Sequence, residues 1–115
     1  AVYEGSWNNN LQNGKGKYTW ADGDIYDGEW KDGKMDGAGI MRQADGVKFK
    51  GSFKAGLKEG YGILEDSDGI RYEGTFREGQ KDGEFVEKDR NGNLIRKVKY
   101  VNGLVESVSE LTSAQ

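Results

Sequence analysis

The chain has no cysteine, no histidine and no proline among its 115 residues. Without cysteine there is no disulfide, no thiolate ligand and no thiol nucleophile, and the redox compartment stays open. Without histidine as well, the commonest hydrolytic and metal-dependent arrangements lose their base, ligand or nucleophile. The longest apolar run is Ala1–Tyr3, far short of a membrane span or a signal peptide. An initiator methionine is also missing, which reads as a piece cut from a longer protein. Only 34% of the residues are hydrophobic and 32% are charged, a balance that leans toward disorder. Three Trp, six Tyr and four Phe pull the other way, because disordered segments seldom carry such large apolar groups. The apolar fraction is too small for a thick core, so a thin or elongated structure is expected.

The remaining residues are phased. Aromatic-x-Gly-x-aromatic occurs as Tyr3-Glu-Gly5-Ser-Trp7, Tyr26-Asp-Gly28-Glu-Trp30, Phe49-Lys-Gly51-Ser-Phe53 and Tyr72-Glu-Gly74-Thr-Phe76, each 23 residues after the last. Gly14/Gly16, Gly37/Gly39 and Gly60/Gly62 keep that period, with Gly83 alone in the fourth unit. Asp22-Gly23, Asp45-Gly46, Asp68-Gly69 and Asn91-Gly92 keep it too. Three motifs held in register are a repeat architecture, not a glycine-rich linker.

Rings and glycine at i, i+2 and i+4 share one face of a β-strand and leave the intervening polar residues on the other. The Gly-x-Gly segment, continued by Tyr18 and Trp20, Met41 or Leu64, reads as a second strand whose glycines receive the rings. Lys31-Asp32-Gly33-Lys34 and its equivalents, together with the Asp-Gly pairs, supply hairpin turns. The expected fold is an all-β, elongated, single-layer antiparallel hairpin solenoid of two strands per unit, with units at about 3–25, 26–48, 49–71 and 72–94. Residues 95–103 read as a degenerate capping unit, in which Tyr100-Val-Asn-Gly103 matches Trp30-Lys-Asp-Gly33 after a one-residue shift and Val98 stands at the motif glycine. For residues 104–115, Leu104, Val108 and Leu111 at helical spacing suggest a short capping helix, with an unstructured tail as the alternative.

This pattern resembles the MORN repeat (membrane occupation and recognition nexus) over residues 2–93. The chain departs from the family where units commonly carry histidine before Gly-x-Gly; it has Asn13, Asp36, Glu59 and Asp82 there. It also has Phe85 in place of the fourth unit's second glycine. The resemblance implies an accessory array that docks partners, oligomerises or regulates a neighbouring domain. Such arrays occur at membrane contacts, in lipid kinases, in cytoskeletal scaffolds and in a chloroplast-division regulator. The chain is expected to be soluble and intracellular or peripheral to a membrane, and that last setting would place it in the chloroplast stroma.

No catalytic constellation emerges. The glycines do not follow a buried strand and open a helix, so no nucleotide loop is present. Asp66-Ser-Asp68-Gly69 begins like a calcium loop, but its glycine comes too early and Arg77 stands at the twelfth position. The expectation is a non-enzymatic binding module with no cofactor and no metal. In one reading a partner segment lies along a groove of Tyr3, Trp7, Trp20, Tyr26, Trp30, Phe49, Phe53, Tyr72 and Phe76, with Asp36, Glu59 and Asp82 selecting its basic flanks. In the other, the rings simply fill the core. Tyr61, between two glycines, points to the opposite face as an anchor or a plain surface tyrosine. Arg90, Arg96, Lys97 and Lys99 form a basic cluster for anionic lipid or an acidic partner, or else keep an edge strand from aggregating. Self-association into a homodimer is a variant of the protein-binding reading. Nucleic acid is not expected at a net charge of −3.

Overall fold

The structure, a computed structural model, describes residues 1–110. Ten strands follow one another: β1 (Val2–Asn8), β2 (Leu11–Thr19), β3 (Ile25–Lys31), β4 (Lys34–Arg42), β5 (Lys48–Lys54), β6 (Leu57–Glu65), β7 (Arg71–Arg77), β8 (Gln80–Lys88), β9 (Leu94–Val101) and β10 (Leu104–Glu110). They form one open antiparallel sheet in strictly sequential order. The sheet measures 57 × 24 × 18 Å, with its long axis running across the strands.

Every hairpin within a unit closes with two residues that both have positive φ, such as Asp32 (49°) and Gly33 (84°), or Asn9 (53°) and Asn10 (65°). This is the tight turn whose twist matches that of the flanking strands. Each tip after the first is tied back to the preceding unit, since the Gly33, Gly56, Gly79 and Gly103 N–H groups donate to the carbonyls of Gln12, Met35, Lys58 and Lys81 at 2.8–3.0 Å. The loops between units run along the opposite long edge. There an aspartate accepts a backbone N–H two residues on, as Asp22 does from Asp24 and Asp45 from Val47.

The two glycines of each Gly-x-Gly pair do different work. The first has positive φ (Gly14 86°, Gly37 98°, Gly60 93°) and lies in a bulge, where three residues of the even strand oppose one of the odd strand. The second has ordinary φ but no room. A Cβ on Gly16, Gly39 or Gly62 would fall inside the ring of Tyr3, Tyr26 or Phe49. Each of those rings also covers the glycine two residues after it, which faces the second glycine across the ladder, as Gly28 faces Gly39.

Rings from both sides lean over this glycine track and interlock edge to face. The column runs Trp7, Tyr3, Trp30, Tyr26, Phe53, Phe49, Phe76, Phe85, Tyr100, with centroids 4.8–5.5 Å apart and planes at 79–90°. Edge-to-face contacts of this kind add about 0.5–1.5 kcal/mol each beyond simple burial. The Trp30 indole N–H donates to the Gly16 carbonyl at 3.0 Å, and the Tyr26 hydroxyl donates to the Glu29 carbonyl at 2.9 Å.

The fourth unit ends the pattern by substitution. Phe85 itself occupies the seat over Gly74 and is fully buried, while Tyr72 turns aside and donates its hydroxyl to Asp66. Val98, also buried, lies opposite Phe85. The one-residue shift in the capping segment is taken up at Ile95, which has no partner between the Glu87–Arg96 and Lys88–Leu94 pairs. Residues 104–110 form a strand on β9, not the expected short helix. Asn102-Gly103 makes the same two-residue turn as the other hairpins, and β9 offers a free ladder to pair with. Leu111 lies outside the described residues.

Gly39→Ala should lower stability by at least about 2 kcal/mol, because the added methyl overpacks the Tyr26 seat. Gly83→Ala, where φ is positive but nothing lies within 4 Å, should cost only about 1–2 kcal/mol. Urea denaturation followed by circular dichroism compares the two; equal effects would mean the ring seat is not the constraint.

Candidate partner-binding surface

The ring face largely covers itself. Tyr26, Trp30, Phe49, Phe53 and Phe76 are at most 7% exposed; Tyr3, Trp20 and Tyr72 are half-buried. Trp7, by contrast, is 57% exposed. The groove residues named from sequence therefore share one face, with Trp20 and Tyr72 packed beside the column and the others in it, but a partner meets their rim more than the rings themselves. Phe85 and Tyr100 belong to the same column and were missed as members, because Phe85 reads as a lost glycine. The signal was there: it is an aromatic residue on the ring face.

That rim changes character along the array. Over β1–β4 it is made of Tyr18, Trp20, Met35 and Met41, all half-buried against the column. Tyr18 bridges Trp20 (4.7 Å between centroids) and Trp30 (5.9 Å). Farther on, Leu64 keeps the place of Met41, but Lys58 takes that of Met35 and lies 5.3 Å from the Phe49 centroid. Beyond it the Lys81 ammonium sits 4.3 Å from Tyr72, 5.0 Å from Tyr100 and 5.8 Å from Phe85. Burial draws the Lys81 pKa down, and the nearby Glu87 carboxylate opposes that. Glu87 is itself buried and accepts from the Arg96 guanidinium at 2.8 Å. The C-terminal end of the ring face is thus closed by its own charges. Net charge follows the same division: residues 1–47 hold five basic and eight acidic residues, the rest twelve of each.

The residues before each Gly-x-Gly pair are engaged with backbone. Asn13, Asp36 and Glu59 accept the N–H of Asp32 (3.1 Å), Ala55 (3.3 Å) and Glu78 (2.9 Å), the first left-handed residue of the next unit's turn. Asp82 occupies the equivalent half-buried position in the fourth unit. The basic cluster does not converge. Arg96 lies on the ring face with Glu87, whereas Lys97 and Lys99 share the opposite face, with Lys99 3.4 Å from Glu106. Arg90 is in a loop, donating to the Asp68 carbonyl at 2.9 Å. β9, which carries three of the four, is an inner strand covered by β10 rather than an edge. Tyr61 is on the face opposite the rings and 59% exposed.

The family model described as the MORN repeat matches residues 3–25, 26–48, 49–71 and 72–93. A search of curated proteins found no match.

Two column-associated hydroxyls make the array sensitive to alkali. Burial pushes Tyr26 up to about 12, and burial together with the Asp66 carboxylate pushes Tyr72 up to about 12. A phenol whose folded pKa exceeds its unfolded value near 10 stabilises the fold fully below pH 10, and that contribution is lost as pH rises toward 12. The denaturation midpoint should accordingly stay level up to pH 10 and fall between 10 and 12. Tyr26→Phe should flatten part of that fall while costing about 1 kcal/mol at neutral pH; an unchanged alkaline slope would remove Tyr26 from the account.

Proposed function

Because the chain belongs to the MORN-repeat family, whose arrays are in general interaction or membrane-associated modules, we propose that it is a non-catalytic docking module. In this reading the ring face of β1–β4 receives an apolar protein segment with basic flanks. The observation that carries it is the unequal rim: Trp7, Tyr18, Trp20, Met35 and Met41 keep partly exposed apolar surface with no second layer above them, while Lys81, Glu87 and Arg96 close the other end. Aromatic and thioether groups suit such a surface, since they add contact area and adapt to an incoming segment. The acidic excess of residues 1–47, which comes from the turn and loop aspartates Asp22, Asp24, Asp32 and Asp45, favours basic flanks and discourages an approach to anionic phosphates.

Selection of displayed peptides on the purified array tests this. Enriched peptides should combine large apolar side chains with lysine or arginine, and their affinity should fall at least about tenfold with Trp20→Asp or Met41→Asp. It should be unchanged by the Lys97→Glu/Lys99→Glu pair. Failure to enrich any sequence would overturn the proposal. So would binding to phosphatidylserine vesicles that is lost with the lysine pair, which would make the array a lipid-binding module instead.

A further inference from the structure

One inner strand is unlike its neighbours. β5 puts Phe49 and Phe53 on the ring face, so Lys48, Lys50, Ser52 and Lys54 all point to the opposite face, and it carries no acidic residue. β9 also has basic residues and no acid, but there Arg96 is paired with Glu87 and Lys99 with Glu106. Among the described residues none of the β5 lysines has an ion-pair partner, nor has Arg42, which lies opposite Lys48 on β4. Glu65, across from Lys48 on β6, is 3.7 Å from Arg71 instead.

The surface beside these cations is apolar and low. In cross-strand register Lys50 stands between Ile40 of β4 and Ile63 of β6, both half-buried, and Ser52 lies opposite Ala38. A hollow of about 390 Å³ opens over Ala38, Ile40, Gly39 and Gly51, with Lys50 on its β5 side and Asp27 on its β3 side. A second, of about 350 Å³, lies beside it toward the loop joining β4 to β5, with Arg42, Lys48 and Glu65 among its walls. Together they make a groove that follows β4 and β5 lengthwise. Lys48 and Lys50, two residues apart on one strand, are spaced by roughly 7 Å along its wall. An extended peptide carries every second side chain at that same interval.

We propose that this groove binds an extended acidic protein segment of the form acid-aliphatic-acid. Its carboxylates meet Lys48 and Lys50 on the β5 side, and the aliphatic side chain between them turns the other way, over Ala38 and Ile40. Asp27 on the far wall fixes which side the carboxylates take, since like charges repel there. It also disfavours a membrane: a plane of phosphates would press on Asp27 and Glu73 of the same face, whereas a single strand meets only its own groove. The site is on the face opposite the rings, so it adds a second partner of opposite charge to the same units and does not depend on the docking reading.

Fluorescence anisotropy of a labelled Glu-Leu-Glu-Leu-Glu peptide, titrated with the whole chain at about 50 mM salt, tests this. A groove this small predicts saturable binding with a dissociation constant on the order of 100 µM. Combining Lys48→Glu with Lys50→Glu should weaken it at least about tenfold, and so should replacing the peptide's leucines by serine. The Lys97→Glu/Lys99→Glu pair makes the same charge change on the same face four strands away and should alter affinity less than about threefold. Trp20→Asp, on the ring face, should leave it unchanged, which separates this result from the docking proposal. Circular dichroism checks the fold of each variant. Absence of saturable binding overturns the proposal, and so does an equal loss with the β9 pair, which would mean general charge attraction. Binding to phosphatidylserine vesicles that depends on Lys48 and Lys50, with none to the peptide, would overturn it in favour of a lipid surface.

Discussion

An aromatic ring laid flat on two facing glycines is the contact from which the rest of the array follows. Two backbones in a sheet lie close together and ordinarily bristle with side chains on both faces. Where Gly28 faces Gly39, or Gly51 faces Gly62, one face is bare, and the ring of Tyr26 or Phe49 settles into the space. A second ring then stands against the first at nearly a right angle. A single-layered sheet thereby acquires a core without a second layer of structure, and a chain with so little hydrophobic content can fold.

The same contact explains how the array ends. Phe85 takes a glycine's place and fills the seat from its own strand, which leaves Tyr72 free to bond Asp66. With Val98 opposite, the track is blocked, and Lys81 rests its ammonium against the last rings. The rim over the first two units is apolar instead. Polarity along the array is therefore chemical as well as directional: aromatic, thioether and acidic at one end, charge-paired at the other.

Much of this was legible in the residues. The 23-residue phasing of rings, glycines and turn residues leads directly to paired strands, one ring face and tight hairpins, because alternation and left-handed turns are local properties. The two glycines of a Gly-x-Gly pair were not distinguishable, since one answers a bulge and the other a ring arriving from the neighbouring strand. Nor could spacing show that the rings cover one another, which depends on how far each leans over a track two strands wide. Asp36 and Glu59 reach turns nineteen residues away, a contact set by the stacking of units. Strict alternation already puts Arg96 on the face opposite Lys97 and Lys99, but the inner position of β9 needed the turn at Asn102-Gly103 to be followed by a strand. Leu104 and Val108 fit either period, and the open ladder of β9 decided the outcome.

The sequential strand order has a mechanical side. Because the strands lie across the long axis, the hydrogen bonds between them run along it, and the N-terminal and C-terminal strands are at opposite ends of 57 Å. A tensile load between those ends would act on the ladders in series, opening one hairpin at a time instead of shearing many bonds together. Each opened hairpin would add contour length while its neighbours kept their rings seated, so the array would behave as an extensible tether that yields in steps of a unit.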